Sequence, residues 1–246
     1  MTALDAAVPR EEARDGPGAL AGERAAARPP GRIRARMLAA IDAAAIEVFA
    51  RDGYQGATTQ AIADAAGLGK AQLHYYIGSK EALYQRVLQD IVDDWIAIFG
   101  FADAHHGPRK VLSDYIRRKM LYSFEHPARS RIFAAETMRG APLLRPLMGT
   151  SHRRTMQAAA VITAWIDAGL MRPLDPLQLL FHIWAVTQHY ADYEPQVAFF
   201  RGQALGDAAD RERLIAEVTA FVLQGAGVAP ADADPAPTVR RAAGSP

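Results

Sequence analysis

Cysteine is absent from the 246 residues, which excludes a disulfide framework, a thiolate zinc site and a cysteine nucleophile. No stretch approaches the roughly 18 uncharged apolar residues of a membrane-spanning helix. The formal net charge is only +1, so no overall basic field marks the chain as a binder of nucleic acid. Contacts with a polyanion would have to come from the local placement of side chains.

Strand signals are also missing, because no run of residues alternates apolar and polar side chains between hairpin turns. Apolar residues recur with a helical period through most of the chain instead. Proline and glycine divide this pattern into separate helices. After residue 100, helices are predicted at about 109–126, 128–139, 143–169, 176–200 and 208–225. The sequence predicts an all-α fold of about nine helices.

The two ends of the chain differ from its middle in composition. Residues 1–32 are rich in Ala, Arg, Gly, Pro and Glu and have few large apolar side chains, and residues 227–246 are similar. Because such segments bury too little apolar surface to fold alone, both are predicted to be disordered. The first segment lacks the apolar run of a signal peptide, and the expected location of the protein is the cytoplasm.

The segment YQGATTQAIADAAGLGKAQLHYYIGSKEAL, which follows the first predicted helix, has the spacing of a helix–turn–helix motif. Thr58 or Thr59 caps a short helix, in which the small Ala63 allows a close helix crossing. Gly67 supplies the turn, and a second short helix runs from about residue 69 to residue 75. In this motif the second helix enters the major groove of DNA. The structural alternative is a small helical turn with buried tyrosines.

The second helix of the motif carries side chains that suit contacts with DNA. Lys70 and Gln72 can pair with guanine and adenine edges, and Ala71 is small enough to approach a thymine methyl group. Ser79 caps the next helix, where free N–H groups and Lys80 offer a phosphate site. Three residues at the other end of the recognition helix lie within reach of phosphate oxygens: His74, Tyr75 and Tyr76.

The stretch TTQAIADAAGLGKAQLHYYIGSKEAL resembles the DNA-binding domain of the TetR family of transcriptional regulators. It departs from the family pattern at Gly69, His74 and Ile77, where serine, tyrosine and phenylalanine are usual. The resemblance implies a sequence-specific DNA-binding regulator and not an enzyme. The DNA-contacting positions that it implies are Thr59, Gln60, Lys70, Ala71, Gln72, His74, Tyr75, Tyr76 and Lys80. Gln60, Lys70 and Gln72 are expected nearest the bases, and Thr59, His74, Tyr75 and Lys80 on phosphates.

Basic side chains are sparse in this domain. Residues 33–80 contain five Lys or Arg against four Asp or Glu. One copy therefore neutralises few phosphates, whereas a dimer on a two-fold operator would double their number. The segment 1–32 adds five arginines, but its five acidic residues offset their positive charge. A minor-groove contact of this arm is an open alternative, but a solubilising role is favoured.

Beyond residue 100, the histidines form no recognisable catalytic or metal site. His182 and His189 are seven residues apart, which is about 10.5 Å along a helix and too far for both to bind one ion. Ser151 and His152 are neighbours whose side chains point apart on a helix, unlike a nucleophile and its base. No catalytic residue, metal ion or cofactor is predicted.

A ligand pocket is the better interpretation of the second domain. Trp184 and Gln188 are four residues apart on an apolar helix, and Trp95 ends the apolar stripe of the helix that leaves the DNA-binding domain. Mostly apolar walls with a few polar groups are typical of ligand sites, and a glutamine amide both donates and accepts hydrogen bonds. This set suits a flat molecule with amide-like edges. From chemistry alone, the stronger alternative is that these residues belong to the core.

Two stretches, RIFAAETMRGAPLLRPLM and LDPLQLLFHIWAVTQHYAD, resemble the C-terminal domain of the RutR-like, pyrimidine-utilisation branch of the TetR family. In that branch the regulator is a dimer that uracil or thymine releases from DNA. The resemblance implies that Trp95, Trp184 and Gln188 line the effector pocket, with Lys119 as a weaker candidate.

Dimerisation is expected through the predicted helices 176–200 and 208–225. Both carry apolar residues on more than one face, so both are buried on more than one side. Two such helices from each of two chains can form a four-helix interface, and the family resemblance points to the same helices. A two-fold dimer would match a palindromic operator.

The expected organisation is a helix–turn–helix domain at 33–80 and an effector-binding and dimerisation domain at 81–226. The expected function is that of a repressor that a small molecule releases from its operator. Within regulators, the alternatives are a more lipophilic effector or an activator. Outside regulators, they are a helical enzyme and a nonspecific DNA-binding protein.

Overall fold

A computed structural model describes residues 31–230, and within this range the regular structure is helical. The α-helices are α1 (Arg32–Gly56), α2 (Thr59–Ala65), α3 (Lys70–Ile77), α4 (Lys80–Ile98), α5 (Gly107–Glu125), α6 (Pro127–Met138), α7 (Gly149–Asp167), α8 (Pro176–Asp192), α9 (Glu194–Arg201) and α10 (Ala208–Gly225). Two short 3-10 helices, Phe101–His106 and Arg145–Leu147, precede α5 and α7. The all-α prediction is confirmed, with ten α-helices described in place of nine. None of these helices is long and apolar enough to cross a membrane.

Two of the predicted helices are wrong because prolines interrupt them. The predicted helix 143–169 is a 3-10 turn around Pro146 followed by α7. The predicted helix 176–200 is divided into α8 and α9 at Tyr193. Pro195 has no N–H to donate to the carbonyl group of Ala191, so an unbroken helix would leave that bond unmade.

The helix–turn–helix motif forms as its local signals predict. The Oγ1 atom of Thr58 accepts a hydrogen bond of 3.0 Å from the N–H of Ala61 and so caps α2. Ser79 caps α4 in the same way. Gly67 has φ = 67°, a left-handed conformation that favours glycine, in the turn between α2 and α3. A buried cluster joins α1, α2, α3 and α4: Ile41, Val48, Phe49, Ile62, Ala63, Leu73, Ile77, Leu83, Leu88 and Ile91.

A second core fills the space between α5, α7, α8 and α10. Val228, two residues into the predicted tail, is buried in this core, and the guanidinium of Arg109 donates to its carbonyl oxygen at 3.3 Å. The packed core therefore continues slightly beyond the predicted boundary. The segments 1–30 and 231–246, predicted to be an arm and a tail, lie outside the described residues.

Helices α4 and α6 contribute to both parts of the molecule. The first turns of α4 are buried in the N-terminal core, whereas Phe99, just after its end, packs against the second core. Ile132 of α6 is also buried in the N-terminal core. The predicted boundary after residue 80 falls at the start of α4, so this helix belongs physically to both domains.

Candidate effector cavity and DNA-binding surface

Helix α3 turns one side toward the core and the other toward solvent. Leu73 and Ile77 are buried and Tyr76 packs partly against the same core, whereas the remaining side chains of the helix point outward. Six of the nine predicted DNA-contacting residues are exposed: Gln60, Lys70, Ala71, Gln72, His74 and Tyr75. The other three are half-buried: Thr59, Tyr76 and Lys80. The structure thus offers these residues on the accessible side of the helix–turn–helix motif, and their contacts with DNA stay a prediction.

Arg34 of α1 adds a cation at the end of the recognition helix. Its guanidinium carbon lies 5.7 Å from the ring centroid of Tyr75 and 5.5 Å from that of Tyr76. The two rings meet edge to face at 5.3 Å between centroids. The sequence did not identify Arg34 as a site residue, since the fold alone brings the start of α1 beside α3.

Lys80 has a structural role that the sequence did not predict. Its ammonium donates hydrogen bonds of 2.9 Å to the carbonyl oxygens of Tyr54 and Ala57, near the end of α1. It also lies 4.7 Å from the ring centroid of Tyr54. Since an ammonium has three N–H groups, only one of them is free for a phosphate.

The four predicted ligand-binding residues line a single cavity of about 70 Å³ between α4, α5, α6, α7 and α8. Trp95, Lys119, Trp184 and Gln188 therefore come together from three different helices. The complete lining is Trp95, Ile96, Phe99, Tyr115, Lys119, Phe133, Met148, Ser151, Arg154, Thr155, Trp184 and Gln188. Mostly apolar walls with a few convergent polar groups are typical of a small-molecule site.

Lys119 is the most unusual group in this cavity, because its side chain is buried. Its ammonium nitrogen lies 3.4 Å from Oε1 of Gln188 and 3.3 Å from the ring centroid of Trp95. Burial lowers the pKa of Lys119 well below its usual value, and the negative charge of Asp192 opposes this shift. A buried amine whose charge is offset by so few neighbouring groups is typical of a functional site.

Tyr115 and Trp184 form a second polar pair in the cavity wall. The indole N–H of Trp184 donates to the hydroxyl oxygen of Tyr115 at 2.8 Å. Burial raises the pKa of Tyr115, against the opposing effect of this hydrogen bond, and the hydroxyl group therefore stays neutral. Tyr115 was not among the predicted pocket residues, although it precedes Lys119 by four residues and so shares a helix face with it.

Helix α6 connects the cavity with the DNA-binding domain. Phe133 lines the cavity, and one turn later the side chain of Glu136 is fully buried. The Glu136 carboxylate accepts hydrogen bonds from the Tyr84 hydroxyl at 3.3 Å, from Arg139 at 2.6 Å and from the N–H of Leu143 at 2.9 Å. One carboxylate thus joins α6 to α4, an arrangement that no local sequence signal indicated.

The histidines of α7 and α8 do not come together in a site. His182 and His189 are both exposed on α8, and His152 is exposed while Ser151 faces the cavity. Within residues 31–230, no three His, Asp or Glu side chains are grouped in a way that would hold a metal ion.

Comparison with known proteins extends over both parts of the molecule. Residues 41–87 match the family model described as "Bacterial regulatory proteins, tetR family". Residues 88–229 match the model described as "YcdC-like protein, C-terminal region". Among solved structures, the ketosteroid transcriptional regulator KstR2 of Mycobacterium tuberculosis has a TM-score of 0.60 at 21% identity, covering 80% of this chain and 96% of its own. At this identity the similarity shows the fold alone.

Two proteins with similar sequences are named as regulators of transcription. RutR of Escherichia coli K12, an HTH-type transcriptional regulator, is 38% identical over 187 residues, which is 76% of this chain and 88% of RutR. The HTH-type transcriptional repressor NicS of Pseudomonas putida is 29% identical over 142 residues, which is 53% of this chain and 62% of NicS. This chain belongs to the TetR family of DNA-binding transcriptional regulators and is similar to RutR.

Proposed function

We propose that this regulator is a dimeric repressor that a small planar effector, a pyrimidine such as uracil or thymine, releases from a palindromic operator. The observation that carries the proposal is the cavity in which Trp95, Trp184, Gln188 and Lys119 meet. The 38% identity to RutR supports the same branch of the family. Two tryptophan rings suit a flat ring, and the glutamine amide suits its carbonyl and N–H edges.

The size of the cavity favours a small ring over a long lipophile. A single water occupies about 10–15 Å³ of such a space, so the cavity of about 70 Å³ holds roughly five waters. By comparison, the regulator AibR was solved with isovaleryl coenzyme A and operator DNA, with a TM-score of 0.59 and 17% identity over 75% of this chain and 97% of its own. A ligand as large as a coenzyme A thioester would require the walls described here to move apart.

We assign the DNA contacts by the chemistry of the exposed side chains. Lys70 and Gln72, at the start of α3, are proposed to read base edges together with Gln60. The side chain of Gln60 donates to Asp64 at 2.8 Å, which orients its amide and leaves the oxygen free to accept. Thr59, His74, Tyr75 and the remaining N–H of Lys80 are proposed to contact phosphates, with Tyr76 beside them and Arg34 as an added cation. Ala71 is proposed to approach a thymine methyl group.

The dimer interface is proposed on the solvent face of α8 and α10. Phe181 and Phe221 are 45% and 68% exposed there, an unusual position for large apolar rings. Phe221 lines a groove together with Ala185 and Gly225, which are small enough for another helix to approach closely. Four helices, two from each copy, would cover this surface and hold two recognition helices at a fixed spacing.

Phe221→Asp is expected to convert the dimer to monomers, because it places a charge in the proposed interface. Light scattering after gel filtration would measure the mass, and fluorescence anisotropy the operator affinity, which should fall with loss of the second half-site. Met138→Asp is the matched control, since Met138 is 78% exposed on α6. A Phe221→Asp protein that stays dimeric would contradict this interface.

Effector release is proposed to act through α4 and α6, which have residues in both the cavity and the N-terminal core. A ligand shifts the protein between two states only by its difference in affinity for them. By reciprocity, operator DNA must weaken effector binding by the same factor.

Operator binding with and without a pyrimidine tests the proposal. Anisotropy on the palindrome next to the gene should show specific binding that uracil or thymine reverses. Gln188→Ala should bind the operator with unchanged affinity but need at least about tenfold more pyrimidine for release, since it removes one hydrogen-bonding partner of the effector. Specific binding that neither pyrimidine affects would leave the repressor but reject the effector.

A further inference from the structure

Basic side chains line the cavity without acidic ones beside them. Of the twelve residues that line it, Lys119 and Arg154 are basic and, in this described lining, none is acidic. The wall that carries Arg154 lies in a segment, residues 137–166, with four arginines, one histidine and no acidic residue. Asp192 lies near Lys119 but outside the lining, where its carboxylate accepts a hydrogen bond of 2.6 Å from Ser130.

Free hydrogen-bond donors also outnumber free acceptors. Among residues 31–230 the buried indole N–H of Trp95 has no hydrogen-bonding partner. Lys119 makes one long contact, to Oε1 of Gln188, so the N–H₂ group of Gln188 is left to donate. The hydroxyl of Tyr115 accepts from Trp184 and keeps its own hydrogen available. A ligand that satisfies this site must bring acceptor oxygens.

The N-terminus of α7 adds to the positive potential at the same wall. Met148, which precedes the first residue of this 19-residue helix, and Ser151, which is its third residue, line the cavity. In the part of the chain that the structure describes, α7 has no acidic residue in its first turn and no side-chain cap. Its free N–H groups and its dipole therefore favour a negative group nearby.

We infer that the effector is a planar ring that carries a carboxylate, and that Lys119 pairs with this carboxylate inside the cavity. The inference deepens the proposed function and rests on it, since it adds a carboxylate to the proposed pyrimidine ring: orotate is the simplest probe, and uracil and thymine are its weaker, neutral analogues. A carboxylate beside the buried amine would stabilise its charged form, which burial disfavours. Arg154 is exposed at the cavity wall and contributes a weaker, more screened attraction.

Ligand titration of the full-length protein tests this inference, with quenching of tryptophan fluorescence or calorimetry as the readout. The probes are uracil, 6-methyluracil, orotate and benzoate. Orotate and 6-methyluracil carry their substituent at the same ring position and differ in its charge. We expect orotate to bind at least about tenfold more tightly than 6-methyluracil, because its carboxylate can accept a charge-assisted hydrogen bond from Lys119 and the methyl group can accept none.

Lys119→Met and Arg154→Gln separate the two cations. Lys119→Met keeps the length of the side chain and removes its amine, so orotate and 6-methyluracil should bind this variant with affinities within about twofold of each other. Arg154→Gln should reduce the preference for orotate by less than Lys119→Met does. Because Arg154 is exposed, this substitution leaves the buried side chains unchanged and should not affect folding. An orotate preference that survives in Lys119→Met would overturn the role of Lys119.

The four probes also distinguish failure of the carboxylate inference from failure of the proposed pyrimidine effector. If the neutral pyrimidines bind as tightly as orotate or more so, the acidic class is wrong and the pyrimidine effector stands. If benzoate binds and no pyrimidine does, the carboxylate stands and the pyrimidine effector is wrong. If none of the four probes binds while operator binding persists, both are wrong.

Discussion

Glu136→Ala is expected to lower the free energy of unfolding by about 3 kcal/mol, the lower end of the cost of breaking a buried ion pair. Its carboxylate is fully buried and accepts hydrogen bonds from Tyr84, Arg139 and Leu143, so its removal leaves three donors without their acceptor. For a chain of this size, thermal unfolding should shift downward by roughly 6–12 °C, which calorimetry would measure.

Met138→Ala is the matched control for this prediction, because Met138 lies on the same helix and is 78% exposed. It should change the stability by less than about 0.5 kcal/mol. Glu136→Gln should fall between the two, since the amide oxygen still accepts from a neighbouring donor but carries no charge. If the Glu136→Ala protein unfolds at the same temperature as the wild type, the link between α6 and α4 contributes nothing to stability.

The double variant Lys70→Ala, Gln72→Ala is expected to weaken operator binding by about a thousandfold. Each side chain that pairs with a base edge contributes at least about 1 kcal/mol. Removing both side chains from each of two half-sites should cost about 4 kcal/mol, and a tenfold change in affinity corresponds to about 1.4 kcal/mol. Both side chains are exposed at the start of α3, so the fold should be unaffected. Fluorescence anisotropy at fixed salt would measure the decrease in affinity.

Lys110→Ala provides the control for the removal of a positive charge. Lys110 is exposed on α5, and its ammonium contacts Asp114 at 2.7 Å within the same helix. Its replacement should leave the operator affinity within about twofold, since surface ion pairs contribute little and α5 lies outside the helix–turn–helix motif. If the double variant binds the operator as tightly as Lys110→Ala, the assignment of α3 as the reading helix is wrong.

The helix–turn–helix motif was predictable because its signals are local. Thr58 and Ser79 cap the helices that follow them, and Gly67 takes the positive φ of the turn, as expected from residue type alone. The errors in the helices after residue 143 have a local cause too. The apolar period alone predicts helices that run through Pro146 and Pro195. Neither proline has an N–H to donate to the helix, so both helices are interrupted there.

The sequence by itself determined the helical fold, the position of the motif and the family, because periodicity, caps and turns depend on neighbours within a few residues. Only the tertiary structure decided that Lys119 meets Trp95 and Gln188 in one cavity, that Lys80 binds the end of α1, and that Glu136 joins α6 to α4. These interactions join residues 23 to 69 positions apart, and helix packing alone fixes which of them meet.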